Sequence, residues 1–192
     1  MNRIAVFMGS NIGANRIFTD AAVELGTQLA ARNIGLVYGG GNVGLMGRMA
    51  DAVLHQGGEV IGVIPDFMVD KELAHEGATE MIITKSMHER KATMVEKSDA
   101  IIALPGGIGT LEELIEAYTW LQLRIIKHPI GILNTAGYYD PLISMLDKMV
   151  ENRFLKDIHR NRLVIDGDPA SLLDTMKETS YSFEEKWHIT ES

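Results

Sequence analysis

Cysteine is absent from all 192 residues of the chain. A disulfide framework, a thiolate metal site and a cysteine nucleophile are therefore excluded. The carboxylates and histidines also show no recognisable metal-ligand spacing, so we expect no metal. A reducing compartment suits a chain without cysteine, and we expect a cytoplasmic protein.

Positively charged residues are also fewer than negatively charged ones. Lysine and arginine total 18 against 26 aspartate and glutamate residues, which gives a formal net charge of −8. Broad binding to nucleic acid requires a basic surface, so we expect no nucleic-acid partner. A local phosphate site remains compatible with an acidic protein, because backbone amides at a helix start can bind an anion.

Long apolar runs are missing as well. The apolar run at residues 4–8 is preceded by one arginine and followed by a glycine. It is too short for a signal peptide or a membrane span, and it predicts a buried first strand. We find no lipidation motif, and we expect no membrane partner.

Apolar strand-like runs alternate with helical patterns along the whole chain, and no break in composition or internal repeat divides it. Predicted strands cover residues 4–8, 34–38, 60–64, 80–84, 100–104, 130–133 and 163–165. Predicted helices cover residues 16–32, a segment ending near 55, 87–97, 111–126, 142–150 and 170–176. Strands that are apolar throughout are typical of a parallel sheet buried on both faces. The pattern predicts a Rossmann-like, doubly wound α/β sheet in a single three-layer domain, residues 1–180, with a polar tail at 181–192.

Ligands bind beyond the carboxyl ends of the strands in such a sheet. Three glycine-containing loops follow predicted strands, at residues 9–13, 39–47 and 105–113. We therefore expect these three loops to form the ligand site.

The third loop reads PGGIGTLEE and directly follows the strand IIAL. Its glycines let the backbone approach a ligand, and the helix that follows favours an anion. No lysine follows the glycines, so the loop is not that of a nucleoside triphosphatase. A structural role competes, since Thr110 and Glu113 have the spacing of a capping box; the two roles are compatible.

Four further segments carry a family resemblance together with PGGIGTLEE. They are VYGGGNVGLMG at 37–47, MHERK at 87–91, TWLQL at 119–123, and GILN with GYY at 131–139. Together they resemble the LOG family (named for "lonely guy"), which are cytokinin-activating enzymes. The similarity runs from about residue 4 to residue 155, and the combination of motifs is specific although each alone is weak.

The resemblance implies hydrolysis of the N-glycosidic bond of a nucleoside 5′-monophosphate, giving free base and ribose 5-phosphate. It implies no cofactor, and a homodimer with its sites near the subunit interface. The implied catalytic residues are Arg90 and Glu113. The implied substrate-binding set is Glu72, Arg90, Lys91, Gly107, Ile108, Gly109, Thr110, Glu113 and Thr119. We assign phosphate binding to Gly106, Gly107, Gly109 and Thr110, and secondary loop positions to Ser10, Gly40 and Asn42.

The chemistry of the reaction suits two of these residues. Departure of the base builds positive charge on the ribose, as in glycoside hydrolysis. Glu113, expected in the first turn of its helix, could stabilise that charge or orient water. Arg90 could clamp the phosphate or hold Glu113 through its planar fork. The simpler alternative is that Arg90 and Lys91 form a solvated helix face.

Two regions depart from the family pattern. The first loop reads MGSN at 8–11, where the family commonly has CGSS. The missing cysteine removes no proposed catalytic group, but we expect the floor of the pocket to differ. Residues 67–77 match poorly apart from Glu72. The preference between AMP and an N6-prenylated AMP stays open at this point.

Three other functions compete with this interpretation. The segment GGGNVG at 39–44 fits the dinucleotide fingerprint and Asp66 ends the next strand, but the fingerprint normally follows the first strand. A carrier without chemistry is the second, since molybdenum-cofactor carriers resemble this fold. Related sequences are also labelled lysine decarboxylases, but the chain shows no evident site for a pyridoxal Schiff-base lysine.

Overall fold

Seven strands form one parallel sheet in the computed structural model, which describes residues 1–69 and 74–179. The strands are β1 (Arg3–Phe7), β2 (Gly35–Tyr38), β3 (Val60–Pro65), β4 (Glu80–Thr84), β5 (Ala100–Ala103), β6 (Ile130–Leu133) and β7 (Leu163–Asp166). Their order is β4-β3-β2-β1-β5-β6-β7, and every pairing is parallel. The predicted doubly wound parallel sheet is confirmed.

Helices cover both faces of the sheet. They are α1 (Arg16–Ala31), α2 (Gly44–His55), α3 (Met87–Glu96), α4 (Ile108–Gln122), α5 (Asp140–Glu151), α6 (Asp157–Arg160) and α7 (Pro169–Glu178), with 3₁₀ turns at Asp66–Met68 and Thr135–Gly137. One core cluster joins α1, α2 and α7 to the sheet, and the other joins α3, α4 and α5. Neighbouring residues of β1 face opposite layers, Ile4 toward the first and Ala5 toward the second, because side chains alternate along a strand.

Local sequence fixes where several helices begin. Ser86 caps α3, since its Oγ accepts a hydrogen bond from the N–H of Glu89 at 3.1 Å. The Glu89 carboxylate in turn accepts from the N–H of Lys85 at 2.7 Å. These two bonds satisfy backbone N–H donors at the start of α3. They fix the first turn of the helix and therefore the position of the turn that follows it.

The start of α4 differs from the prediction. It begins at Ile108, three residues before the predicted start, and its N-cap residue is Gly107. Thr110 therefore lies inside the first turn, so its predicted role as the capping residue is wrong. The error arose because the spacing of Thr110 and Glu113 fits a common capping pattern. The structure has a side-chain cap of this type at the start of α3 instead, formed by Ser86 and Glu89.

Other differences lie at element ends. Helix α4 ends at Gln122 instead of near residue 126, and α5 begins two residues earlier than predicted, at Asp140. The short helix α6 was not predicted, because four residues are too few for a helical hydrophobic pattern. Residues 70–73 and 180–192 lie outside the described part of the chain, so the predicted polar tail and Glu72 fall there, and the domain limits stay predictions.

The described part of the chain contains no helix that is both long and apolar enough to cross a membrane. Within the sheet, the connections leave β1 and β5 toward opposite edges, so these two neighbours mark the topological switch point. A crevice outside the carboxyl ends of the strands is the usual ligand position at such a point.

Candidate functional site

The three glycine loops converge at the switch point. The N–H of Gly9 donates to the carbonyl of Pro105 at 3.2 Å, and the N–H of Leu45 donates to the carbonyl of Gly9 at 3.2 Å. A Cβ atom on Gly106 would collide with Oγ1 of Thr110 and with the backbone of Gly9, so only glycine allows this approach. The loops that sequence placed at one edge of the sheet therefore contact one another.

The first turn of α4 opens onto this edge. Gly107 and Gly109 are exposed, and a Cβ atom on either would meet no other atom within 4 Å. Ile108 between them is 82% exposed, whereas Thr110 is buried. The first N–H groups of a helix have no acceptor within it, and together with the helix dipole they suit an anion such as phosphate.

A cavity of about 190 Å³ joins this turn to the other motifs. Its lining residues are Met8, Ser10, Met46, Met68, Met87, Arg90, Gly107, Gly109, Thr110, Glu112 and Glu113. The two predicted catalytic residues, part of the predicted phosphate loop and Ser10 thus share one cavity, although they come from three separate segments of the chain.

Arg90 is almost completely buried beside this cavity, with 6% of its surface exposed. Its Nε donates to the carbonyl of Val63 at 3.1 Å, and its Nη2 donates to the carbonyl of Gly39 at 3.0 Å. A Cβ atom on Gly39 would collide with the guanidinium, so this contact also depends on glycine. The alternative of a solvated helix face is wrong for Arg90, whose charge is held in one orientation at the ends of β2 and β3.

Lys91 is buried too, but it points to a different set of partners. Its Nζ lies 2.5 Å from the Glu112 carboxylate and 2.7 Å from that of Glu116. Burial acts to lower the pKa of Lys91, but the hydrogen bonds with both glutamates outweigh it and raise that pKa. Lys91 does not line the cavity and instead links α3 to α4, so the structure does not bring this predicted substrate-binding residue to the site.

Glu113 is half-buried in the cavity wall. Because α4 begins at Ile108, Glu113 lies in the second turn, and the prediction of a first-turn position is wrong. The helix dipole acts mainly within the first turn, so its effect on Glu113 is weaker than expected from sequence. Burial, together with the nearby charges of Tyr138 and Glu113, raises the pKa of Tyr139, which is consistent with a carboxylate close to that ring.

Two tyrosines donate hydrogen bonds to the backbone at the start of the phosphate loop, and the sequence alone assigned them no role. The hydroxyl of Tyr138 donates to the carbonyl of Gly106, and that of Tyr139 donates to the carbonyl of Leu104, both at 2.6 Å. Their rings pack edge to face at 5.1 Å, and Tyr138 packs on Phe18 in the same way at 5.6 Å. The GYY motif was visible in the sequence, but only the fold shows what its hydroxyls hold.

Three other predicted residues lie away from this cavity. Thr119 is exposed near the end of α4, and its hydroxyl donates to the carbonyl of Ile115 at 2.8 Å. The carbonyl of Gly40 accepts from the N–H of His75 at 3.0 Å. Asn42 lines a neighbouring cavity with Asp51. Within the described ranges 1–69 and 74–179, no three His, Asp or Glu side chains are grouped closely enough to hold a metal ion.

Comparisons with known proteins agree with this arrangement of motifs. A family model described as "Possible lysine decarboxylase" matches residues 46–176. The probable cytokinin riboside 5′-monophosphate phosphoribohydrolase LOGL2 of Oryza sativa subsp. japonica is 47% identical over 192 residues, which cover 97% of this chain and 79% of that one. The cytokinin riboside 5′-monophosphate phosphoribohydrolase LOG1 of Arabidopsis thaliana is 51% identical over 176 residues, covering 92% and 83% of the two chains.

A solved structure shares the fold at lower identity. The molybdenum cofactor binding protein of Rippkaea orientalis superposes with a TM-score of 0.68, over 91% of this chain and 94% of that one. The two sequences are 24% identical, so this likeness bears on the fold alone.

Proposed function

The chain belongs to the LOG family of cytokinin riboside 5′-monophosphate phosphoribohydrolases, and from this premise we propose that it hydrolyses the N-glycosidic bond of a nucleoside 5′-monophosphate. The products are the free base and ribose 5-phosphate. The observation that carries the proposal is the single cavity that joins the first turn of α4 to Arg90 and Glu113. Water is the only co-reactant, so the reaction needs no cofactor.

The phosphate is bound at the first turn of α4 in this proposal. The N–H groups from Gly107 to Thr110 supply donors, and the exposed glycines leave room for the phosphate oxygens. Two further features keep this turn in place, namely the contact of Gly106 with Thr110 and the tyrosine hydroxyls behind the loop. A fixed phosphate positions the ribose within the same cavity.

The bond that breaks joins C1′ of the ribose to the ring nitrogen of the base. The base leaves with the bonding electrons and takes up a proton, while the oxygen of water bonds to C1′. Glu113 stabilises the positive charge that develops on the ribose, or accepts a proton from the attacking water. The charge of Arg90, held in place by the carbonyls of Val63 and Gly39, attracts the anionic substrate.

We also propose that the active form is a homodimer assembled through α4. Apolar or uncharged side chains recur on one face of this helix at Ile108, Ile115, Thr119 and Leu123, with exposed fractions of 82%, 38% and 58% for the three apolar ones. This spacing puts them on one stripe, and a second copy would bury it. In that arrangement Thr119 would approach the site of the partner. The cytoplasmic location predicted from sequence stays a prediction.

A carrier function is the second candidate, because the first turn of α4 can bind a phosphate whether or not the bound nucleotide is hydrolysed. A carrier would bind a nucleotide and release it unchanged. A decarboxylase that uses pyridoxal phosphate requires a lysine that loses its proton easily. The raised pKa of Lys91 runs against that role for this residue.

The test is a product assay with purified protein, AMP and isopentenyl-AMP, without metal or nicotinamide cofactor. Release of adenine or isopentenyladenine together with ribose 5-phosphate, separated by chromatography, is the expected result. Glu113→Gln serves as the inactive comparison. Tight binding of either nucleotide without release of base would contradict the proposal and support the carrier.

A further inference from the structure

A buried histidine outside the cavity links the segment before β4 to α2 and to the loop after β2. His75 is 8% exposed. Its Nδ1 accepts a hydrogen bond from the N–H of Gly77 at 3.1 Å, so the proton of the neutral ring is on Nε2. Nε2 lies 3.2 Å from Oδ1 of Asp51 on α2 and donates to it. The backbone N–H of His75 donates to the carbonyl of Gly40 at 3.0 Å.

The loop that His75 contacts begins with three consecutive glycines at 39–41. Glycine has the greatest conformational freedom of any residue, so the order of such a run depends on its contacts. Each of the three has a partner in the fold, namely Arg90 for Gly39, His75 for Gly40 and Ala74 for Gly41. Two of these partners are adjacent residues, and the side chain of His75 fixes the position of both.

Asp51 gives this arrangement a rigid base. It lies on α2 beside Ala50 and close to Val53, both of which are completely buried in the core. Burial and, to a smaller extent, the negative charge of Asp51 raise the pKa of Tyr38, which ends β2 directly before the glycines. The Asp51 carboxylate therefore lies near the end of β2 as well as beside His75.

The orientation of Arg90 depends on this loop. Its guanidinium donates to the carbonyls of Val63 and Gly39. Val63 lies within β3, whose position is fixed by pairing with β2 and β4 on either side. Gly39 begins the glycine run, so the position of its carbonyl depends on the contacts that order the run.

We propose that Asp51 and His75 are positioning residues for the reaction: they fix the glycine run at 39–41 and, through the carbonyl of Gly39, the orientation of the Arg90 guanidinium. This inference rests on the function proposed above and adds two residues to its mechanism. Both lie outside the set that lines the cavity of Arg90 and Glu113, so they act through Arg90 and not on the substrate.

His75→Ala tests the proposal, because it removes both side-chain hydrogen bonds and keeps the backbone N–H. The matched control is His128→Ala. His128 is also partly buried, and its Nε2 lies 2.6 Å from the carbonyl of Ser98. Both residues precede strands, so this contact lies at the opposite edge of the sheet from the cavity.

The quantities to measure are kcat and KM for the nucleotide that the unmodified protein hydrolyses faster. We expect His75→Ala to lower kcat by about 10-fold to 100-fold, the cost of a small misplacement of a group at the site. KM should change much less, because the phosphate donors at the start of α4 lie on another segment. His128→Ala should keep both quantities.

A double-mutant cycle with Arg90→Lys separates positioning from a merely structural role. Lysine lacks the planar fork that reaches both carbonyls. In the Arg90→Lys background, His75→Ala should therefore change kcat by less than about 2-fold. A loss of the same size in both backgrounds would overturn the inference, because His75 would then act independently of Arg90.

Asp51 provides a second pair of variants, which also serves if His75→Ala does not fold. Asp51→Leu removes the acceptor for Nε2 of His75 and should lower kcat as His75→Ala does. Asp51→Asn keeps an acceptor oxygen and should retain most of the original kcat. An unchanged kcat in folded Asp51→Leu or His75→Ala would overturn the inference while the proposed function stands.

A readout without turnover distinguishes the two failures. The Nη protons of Arg90 exchange slowly with water while they are hydrogen-bonded, and NMR identifies their signals by their absence in Arg90→Lys. Exchange should be about 10-fold faster in His75→Ala and unchanged in His128→Ala. Equal exchange in His75→Ala and the unmodified protein would overturn the inference. Release of base from neither nucleotide would instead contradict the proposed function, and the exchange rates would then decide the inference.

Discussion

The first turns of α3 and α4 differ in how their backbone N–H groups are satisfied. In α3 the hydroxyl of Ser86 and the carboxylate of Glu89 accept hydrogen bonds from the chain at the helix start. In α4 the N-cap residue is Gly107, which has no side chain to offer, and Gly109 in the same turn is open to solvent. The helix capped by its own sequence supports the structure, whereas the helix without a side-chain cap retains donors for a ligand.

The same contrast separates two adjacent residues of α3. Arg90 binds backbone carbonyls and lines the cavity, while Lys91 binds carboxylates of α4 and does not. Both are buried cations in a motif where sequence suggested a common role. Burial alone therefore does not mark a functional cation, and the identity of its partners decides which role it has.

The largest effect is expected from removal of the Glu113 carboxylate, which lies at the cavity end of α4. Glu113→Gln should lower kcat by roughly 10²-fold to 10⁴-fold, because an amide neither stabilises positive charge on the ribose nor accepts a proton from water. Turnover by chromatography and folding by circular dichroism measure the two aspects. Glu116→Gln is the matched control on the same helix, since Glu116 pairs with Lys91. Equal turnover in the two variants would remove Glu113 from the mechanism.

The second prediction makes α4 resemble α3. Gly107→Asp adds a carboxylate at the N-cap position, where a Cβ atom meets no other atom. It should compete with the phosphate for the same N–H groups and raise KM about 10-fold to 100-fold, by the free energy of a charged hydrogen bond. Gly107→Ala separates the effect of size from that of charge. An unchanged KM in the aspartate variant would place the phosphate elsewhere.

The third prediction removes the cap of α3. Ser86→Ala should reduce the free energy of unfolding by about 1 kcal/mol, the usual value for an N-cap residue. The KM should stay close to that of the unmodified protein, because no ligand uses these donors. Denaturant unfolding measures the first quantity and initial rates the second. A large increase in KM without loss of stability would reverse the assignment of the two helix starts.

The smallest effect concerns the ion pairs of Lys91. Its pKa is raised above the ordinary value of 10.5, so the protonated form is more stable in the folded chain. The associated stability is fully present below pH 10.5 and is lost as the pH rises through the higher pKa of the folded state. Unfolding at pH 8 and at pH 11 should show this decline in the unmodified protein and less of it in Lys91→Met. Identical pH dependence in both would show that the pairs contribute nothing.

Sequence allowed prediction of the features that depend on local pattern. The apolar runs predicted all seven strands within one or two residues. The glycines at 105–113 were expected to let the backbone approach a ligand, whereas the close approach of Gly106 to Gly9 and Thr110 is seen only in the structure. The start of α4 was misplaced because Thr110 and Glu113 fit a common capping pattern. The partners of Lys91 could not be predicted, since they depend on how α3 packs against α4.

The residues that line the cavity could also not be predicted from the sequence. Met8 was noted only as a departure from the family pattern, and the other three methionines of the cavity, Met46, Met68 and Met87, had no assigned role. Their convergence follows from the order of strands in the sheet, which places the ends of β1 and β3 and the starts of α2 and α3 around one space. No local spacing encodes that order.

The two tyrosine hydroxyls have a consequence for the entropy of binding. They hold the carbonyls on either side of Pro105, so the backbone there is fixed at two points from the neighbouring α5 region. A loop that is already rigid does not have to be ordered when the nucleotide arrives, and the affinity is not reduced by that cost. A rigid loop also cannot close over its ligand, so these residues bind the phosphate in the conformation that they have before it arrives.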